Sequence, residues 1–571
     1  MHSNPSAPAR LAGHALVEAL VAQGVDTCFG VPGESYLAVL DGFHAHREHI
    51  RFIACRQEGG AAFMADAQGK LSGRPGVCFV TRGPGATNAS IGVHTAFQDS
   101  TPLVLFIGQV ASDQRDREAF QEIDYRQMFG PGTLGMAKWA AQVDSADRLP
   151  EYVARAFRVA MQGRPGPVVL ALPEDMLTTP TTAPVLPRVE PARHWPAPGA
   201  LRELRTRLLA AKAPLVIAGG SGWDAEACSA LQRFAENWQL PVACAWRRQD
   251  LFDNRHPLYA GDVGLGINPA LAQRLQQADL VLALGTRLGE NTTGGYTWLA
   301  APRPRQTLVH VHAAADLMLH ASMATAATAL ETLDAPAAGP PRPWAGHAEA
   351  ANAEYRASLA SAPVAPMDLA EVMRVAQRLL PADTLWTNGA GNFAGWLHRF
   401  VQYGALHTQG RCQLAPTSGA MGYGLPAAVA AALLQPGRTV FNLAGDGDFL
   451  MNGQELATAT GYGAGRSAGR LISVVVDNGT YGTIRMHQER EYPGRVSGSD
   501  LFNPDFAALA RAYGWHAEFV ERTEDFEPAL QRALAAGRPA LIHLKQPTDV
   551  STSRATLSGI RSAALARQGA A

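Results

Sequence analysis

Helical patterns of apolar residues alternate along this chain with short, strongly apolar runs that end in glycine or proline. LAGHALVEALVAQG, starting at Leu11, carries its apolar positions at helical spacing and leads into the strand-like VDTCFG; GVCFVT, PLVLFIGQV and GPVVLALPEDM come further on. Strands alternating with helices predict a parallel sheet with helices on both faces. The pattern breaks after Met176 in TTPTTAPVLPRVEPARHWPAPG, a Pro/Thr-rich linker. A second block, Leu201 to Leu333, holds PLVIAGG, LPVACAW, LVLALG and TLVHVH. DAPAAGPPRPWAG is the next linker, and a third block, Met367 to Lys545, holds TVFNLAGDG, LISVVVDNG and PALIHL. The expected architecture is α/β, with three doubly wound parallel-sheet domains over residues 1–180, 195–335 and 360–550. A length of 571 residues agrees with that count, at roughly 100–200 residues per domain.

Composition narrows the partners. Apolar residues make up 47% and charged residues 17%, and 49 Lys+Arg against 50 Asp+Glu leave a net charge of −1. No basic block asks for a nucleic acid or an anionic membrane surface. The cysteines Cys28, Cys55, Cys78, Cys228, Cys244 and Cys412 form no C-x-x-C pair, which excludes a zinc knuckle or a redox dithiol of that kind and leaves buried, reduced thiols. The start, MHSNPSAPAR, is polar with no apolar stretch behind it, and no run reaches the roughly 18 apolar residues of a membrane span. A cytoplasmic protein is expected, with the sequons at Asn88, Asn291 and Asn478 as chance matches.

The chemistry concentrates in the third block. TVFNLAGDGDFLMNGQELATA reads as a strand, a Gly-Asp-Gly turn and a helix. Gly445 and Gly447 let backbone approach a ligand closely, and Asp446 sets a carboxylate at the C-terminal end of a strand, where open α/β sheets bind ligands. The next strand run, LISVVVDNGTYG, ends in Asp477, Asn478 and Gly479. Asp446 Oδ, Asn478 Oδ and a nearby carbonyl would converge as hard oxygen ligands, the set magnesium favours alongside a diphosphate. The helix after the turn would add N–H groups for the anion. A lone Gly-Asp-Gly is usually only a turn; the Asn closing the following strand points instead to a metal–diphosphate site.

That pairing resembles the diphosphate–magnesium motif of thiamine-diphosphate enzymes. The resemblance extends to their acetohydroxyacid (acetolactate) synthase-like branch through FGVPGESYLAVLDG, EGGAAFMADAQGKLSG, GPGATNASIGV, DSTPLVLFIGQV, AFQEID, GAMGYGLPAA, GDGDFLMNGQELATA and DNGTYG. It implies thiamine diphosphate and Mg2+ as cofactors, an aminopyrimidine-binding first domain and a diphosphate-binding third domain. In such families the two domains of one site come from different subunits, so a homodimer or homotetramer with active sites at the subunit interface is implied. Asp446, Asn478 and the carbonyl of Thr480 match the metal ligands. Glu58, in RQEGGAA, matches the glutamate that hydrogen-bonds the aminopyrimidine nitrogen and promotes proton loss at the thiazolium carbon. Met421, beside Gly419, matches the wedge that bends the cofactor. Further cofactor contacts are implied for Pro32, Gly445, Gly447, Asp448, Tyr481 and Gly482. Gln121, in AFQE, matches a polar residue facing the reaction centre. The central block resembles a domain that holds a non-redox flavin, but GTRLGENTTGG keeps only the arginine of that pattern, so FAD is a secondary option.

The implied activity is lyase or transferase chemistry on a 2-keto acid, with carboligation to a carbonyl acceptor. Where acetohydroxyacid synthases carry a Trp that shapes the acceptor pocket, the matching position in YGTIRMHQER is His487, with Arg485 close by. A polar wall there suits a carboxylate-bearing substrate or acid–base work. TRGPGATN lacks the histidine of benzoylformate decarboxylase-like enzymes. Two alternatives stay open: a non-oxidative 2-keto acid decarboxylase or C–C hydrolase on the same fold, and a catalytically inactive assembly partner.

Overall fold

The computed structural model describes residues 8–130, 135–312, 319–334 and 342–569. The first seven residues, and residues 335–341 of the second linker, lie outside them.

The first domain holds α1 (Ala12–Ala22), β1 (Thr27–Gly30), β2 (Arg51–Ala54), α2 (Glu58–Ser72), β3 (Gly76–Val80), α3 (Gly83–Asp99), β4 (Leu103–Gln109), β5 (Trp139–Gln142) and β6 (Pro167–Pro173). The strands form a parallel sheet in the order β2-β1-β3-β4-β6-β5. Strands β3, β4 and β6 are buried at every position, which is why they read as unbroken apolar runs. The first linker is pinned to this domain: Gln23 Nε2 donates to the Pro187 carbonyl at 3.0 Å, and its Oε1 accepts from Val189 N at 2.9 Å.

The central sheet joins β7 (Pro214–Ala218), β8 (Val242–Ala245), β9 (Tyr259–Val263), β10 (Leu280–Leu284), β11 (Thr307–His312) and β12 (Leu319–His320) in the order β9-β8-β7-β10-β11-β12, again parallel. Alternation along β7 feeds two cores, Val216 and Ala218 on one face and Leu215 and Ile217 on the other. Helix α4 (Ala345–Ser358), beyond the second linker, packs on this sheet: Tyr355 joins its core and Asn352 Nδ2 donates to the Tyr259 carbonyl at 2.9 Å.

The third sheet contains β13 (Leu385–Asn388), β14 (Gln413–Leu414), β15 (Val440–Gly445), β16 (Leu471–Asp477), β17 (His516–Val520) and β18 (Ala540–Lys545) in the order β14-β13-β15-β16-β18-β17. Helix α5 (Gly482–Glu491) follows β16. Three parallel-sheet domains in an α/β fold are therefore present. The chain divides into two compact units, one made of the first domain with Leu425–Gln435 and Asn452–Ala464, the other of the remaining residues. No helix among the described residues is long and apolar enough to cross a membrane. All six cysteines are free and buried.

One local expectation needs correction. The single helix expected after the Gly-Asp-Gly turn is broken: Asp446 itself opens a four-residue turn of helix ending at Phe449, and a second helix, Leu456–Tyr462, starts only after Glu455. His487 sits within α5, in keeping with the helix-forming Met, Gln, Glu and Arg around it.

Candidate active site

Strands β15 and β16 are neighbours, with Gly445 paired to Val476, so Asp446 and Asn478 emerge side by side at the C-terminal edge of the sheet. There they line a cavity of about 260 Å³ together with Gly419, Met421, Gly445, Gly447, Asp448, Thr480, Tyr481 and Gly482. The cofactor-contact residues expected in the third domain thus share one cavity. Two glycines are required by neighbouring rings: a Cβ at Gly445 would lie 2.7 Å from Phe393, and one at Gly447 2.6 Å from Tyr481.

Asp446 is buried and receives only neutral donors: Gly447 N at 2.9 Å on Oδ1, and Gly479 N at 2.8 Å and Asn503 Nδ2 at 2.7 Å on Oδ2. Burial, with the nearby Asp477 charge, pushes its pKa above the usual carboxylate range. Asp477 moves the other way. Burial opposes its charge, but hydrogen bonds from His543, Lys545 and Asn503 hold it well below that range. Asp477 is thus a brace, and Asn503 ties it to Asp446. Asn478 Oδ1 accepts from Thr480 N at 3.2 Å, while the Thr480 hydroxyl turns to the Ser499 carbonyl.

Asp448 has a different task. Its Oδ1 accepts from Gly422 N at 2.8 Å and Ala390 N at 3.0 Å, fixing the loop that carries Met421. Burial raises its pKa to about 7, although both N–H groups and Arg247 favour the charge. A carboxyl with a raised folded-state pKa is fully compatible with the fold below the unfolded value near 4 and costs increasing stability as pH climbs to about 7. Asp448→Asn keeps the accepting oxygen without the charge. The apo variant should therefore match wild type below about pH 4 and exceed it above pH 7 by up to about 4 kcal/mol; urea unfolding at both pH values measures this.

In the first compact unit, Glu58 is the first residue of α2. The Gln57 side chain caps that helix by accepting from Gly60 N at 3.0 Å. Half-buried Glu58 accepts through Oε2 from Asn88 Nδ2 of α3 at 2.9 Å. Glu455 supports the same turn from beneath: fully buried, its Oε1 accepts from Arg56 N and Gln57 N, both at 3.1 Å. Gly60 must lack a side chain, because a Cβ would stand 2.8 Å from that oxygen. Gln121 is half-buried in the left-handed region, φ 65°, and its carbonyl accepts from Gly83 N at the start of α3. Glu58 and Gln121 thus both engage the N-terminal half of α3. Pro32 is exposed between β1 and a short helical turn at Glu34–Tyr36.

Three family models match, one within each sheet domain: the thiamine pyrophosphate enzyme N-terminal TPP binding domain over residues 10–128, the central domain over 201–335 and the C-terminal TPP binding domain over 389–544. The acetolactate synthase isozyme 2 large subunit of Escherichia coli (strain K12) is 32% identical over 548 residues, covering 93% of this chain and 94% of that protein. The chain belongs to the thiamine pyrophosphate enzymes, in their acetolactate synthase-like branch. The acetolactate synthase large subunit of Parasynechococcus marenigrum is also 32% identical, over 94% and 88% of the two chains, and the acetolactate synthase of Arthrospira platensis 30%, over 96% of each.

The residues present suit the cofactor of this thiamine-diphosphate-dependent enzyme. Among the described residues lining the cavity, two are carboxylates and none is lysine, arginine or histidine. A buried carboxylate bonded only to neutral donors, with Asn478 and Thr480 on the same cavity wall, suits a hard divalent cation. The expected second-substrate residues stand apart from this cavity. His487 is exposed, 2.7 Å from Arg490 Nη2, and Arg485 is paired with Asp500; neither lines the cavity. Residues with no local signature support each part separately: around Glu58, Asn88 reads only as a sequon and Glu455 has no signal of its own within GDGDFLMNGQELATA; beside Asp446, Asn503 carries none.

Proposed function

We propose that this enzyme is a carboligase that joins the acyl part of a 2-keto acid to a carbonyl acceptor, using thiamine diphosphate and Mg2+. The observation that carries the reading is the pairing of Asp446 and Asn478 on adjacent strand ends, in a cavity whose described lining lacks a cationic side chain. A diphosphate in such a cavity would be held together with a divalent cation, for which Asp446, Asn478 and the Thr480 carbonyl would be the ligands. When bound, thiamine diphosphate would supply an electron sink for cleavage beside the keto group. Glu58, oriented by Asn88 and by the helix cap, holds a proton against the aminopyrimidine nitrogen. Met421, on the loop fixed by Asp448, shapes the bound conformation. Gln121 is assigned to the reaction centre. The reaction is redox-neutral, so a flavin held by the central domain would have a non-redox role, and FAD stays the secondary option. The names of the relatives, acetolactate synthases and their large subunits, support both the carboligase class and assembly beyond one chain, here as a homodimer or homotetramer with active sites at the subunit interface. Product analysis by NMR, with pyruvate alone and with an added aldehyde, tests the class: coupled products support carboligation, and aldehyde release alone contradicts it.

The substrate reading rests on sequence position alone: His487 stands where acetohydroxyacid synthases carry Trp, although it is exposed on α5 and does not line the described cavity. A polar wall disfavours a bare alkyl group, since its own polar groups would lose solvation without a partner, and a site built to hydrogen-bond a substrate group rejects analogues lacking it. Poor acetolactate formation from pyruvate is expected, with higher kcat/KM for 2-keto acids or acceptors that carry a further carboxylate, hydroxyl or carbonyl. His487→Trp should shift preference toward pyruvate by roughly 10-fold or more. A wild type that already prefers pyruvate, unchanged by the substitution, overturns the polar-pocket reading.

A further inference from the structure

One residue of the cavity wall carries a polar group that no described residue satisfies. Gln546 directly follows β18, and its N–H donates to the Asp477 carbonyl at 2.9 Å, which sets the residue beside the end of β16. It lines the cavity and is 4% exposed. Its side-chain Nε2 is buried and has no hydrogen-bond partner among the described residues. Folds rarely leave a buried NH2 group without an acceptor, and a ligand is one way the acceptor is supplied. Nearby donors are already engaged: Asn392 Nδ2 donates to Ser551 Oγ at 3.2 Å, and Thr483 Oγ1 to Asn392 Oδ1 at 2.9 Å.

The chemistry of the missing acceptor follows from the rest of the lining. An N–H donor selects an oxygen lone pair. With Asp446 and Asp448 as its carboxylates and no described cationic side chain, the cavity can hold an oxyanion only through a metal ion and neutral donors. We infer that Gln546 Nε2 donates to a phosphoryl oxygen of the cofactor's diphosphate, as a binding residue additional to the metal ligands. The inference rests on the reading of this cavity as the diphosphate site.

Trp396 also lines the cavity, so its fluorescence can report occupancy. Apo-protein is titrated with inorganic pyrophosphate and, separately, with thiamine diphosphate, both in excess Mg2+. Gln546→Met removes the amide at similar length and should weaken both ligands by about ten-fold or more, the loss expected for a hydrogen bond to a charged group. Gln546→Glu, which adds a third carboxylate, should weaken both further. Apo melting temperatures show that each variant is folded; if Gln546→Met does not fold, the glutamate variant decides. Wild-type affinity for both ligands in a folded variant overturns the inference. Weakened thiamine diphosphate with unchanged pyrophosphate also overturns it, because the amide would then act on another part of the cofactor. A wild type that binds neither ligand defeats the reading of the cavity itself, a result distinguishable from a failure confined to the variants.

Discussion

Glu58→Gln is expected to lower turnover roughly 10²–10⁴-fold, the usual contribution of a positioned proton-transfer group, while thiamine diphosphate still binds. The substitution is close to silent for the fold. Glutamine keeps an oxygen to accept from Asn88 Nδ2, and the supports of the helix start, the Gln57 cap and the Glu455 carboxylate, are untouched. In the proposed role, what changes is the capacity of position 58 to hold and share a proton with the aminopyrimidine. Deuterium exchange at the thiazolium carbon reads that capacity before any substrate is added. Slow exchange in a cofactor-loaded variant is the expected outcome; wild-type exchange would remove Glu58 from the activation step.

Asp446→Ala should leave a folded protein that no longer binds thiamine diphosphate in a metal-dependent way. Asp446 receives only neutral donors and carries a buried carboxyl, so without a cation its charge is a liability, and in the proposed site it would serve as a ligand. Losing even an outer-shell partner of a metal typically costs 10–100-fold in affinity, and removing a ligand should cost at least about 100-fold. Titrations of apo-protein with and without Mg2+ measure the effect. Tight binding in excess chelator, in wild type or variant, would dismiss the metal bridge. The apo variant should not melt lower than wild type by much, because Gly479 N and Asn503 Nδ2, which lose an acceptor, lie in a partly solvated region.

The strands legible in the sequence were those with covered faces. GVCFVT, PLVLFIGQV and LISVVVDNG are apolar because β3, β4 and β16 are buried throughout. Most strands the pattern did not disclose lie at sheet edges: β2 and β5 in the first sheet, β9 in the second, β14 and β17 in the third. HAEFV, in β17, is partly exposed and admits His and Glu, so its composition does not announce a strand. Interior β13 escaped for another reason: LWTN is four residues long and half polar. The site divides similarly. Asp446 and Asn478 were legible because each directly follows a buried strand. Asn503 was not, because only the pairing of Thr480 with Asp500 folds its segment back onto Asp446. Glu455 serves backbone groups nearly four hundred positions away, a relation no local pattern records. His487 was legible as a departure from a family pattern, and its surroundings in α5 were not.

The central claim, a thiamine-diphosphate- and magnesium-dependent enzyme acting on 2-keto acids, is tested most directly by carbon dioxide release. Protein freed of cofactor and metal is offered a panel of 2-keto acids with an aldehyde acceptor, and carbon dioxide is followed as thiamine diphosphate and Mg2+ are restored singly and together. The expected result is release from at least one 2-keto acid only when both are present, and its loss in Asp446→Ala. Release that is independent of either addition, or none from any 2-keto acid by protein shown to bind both, would contradict the account.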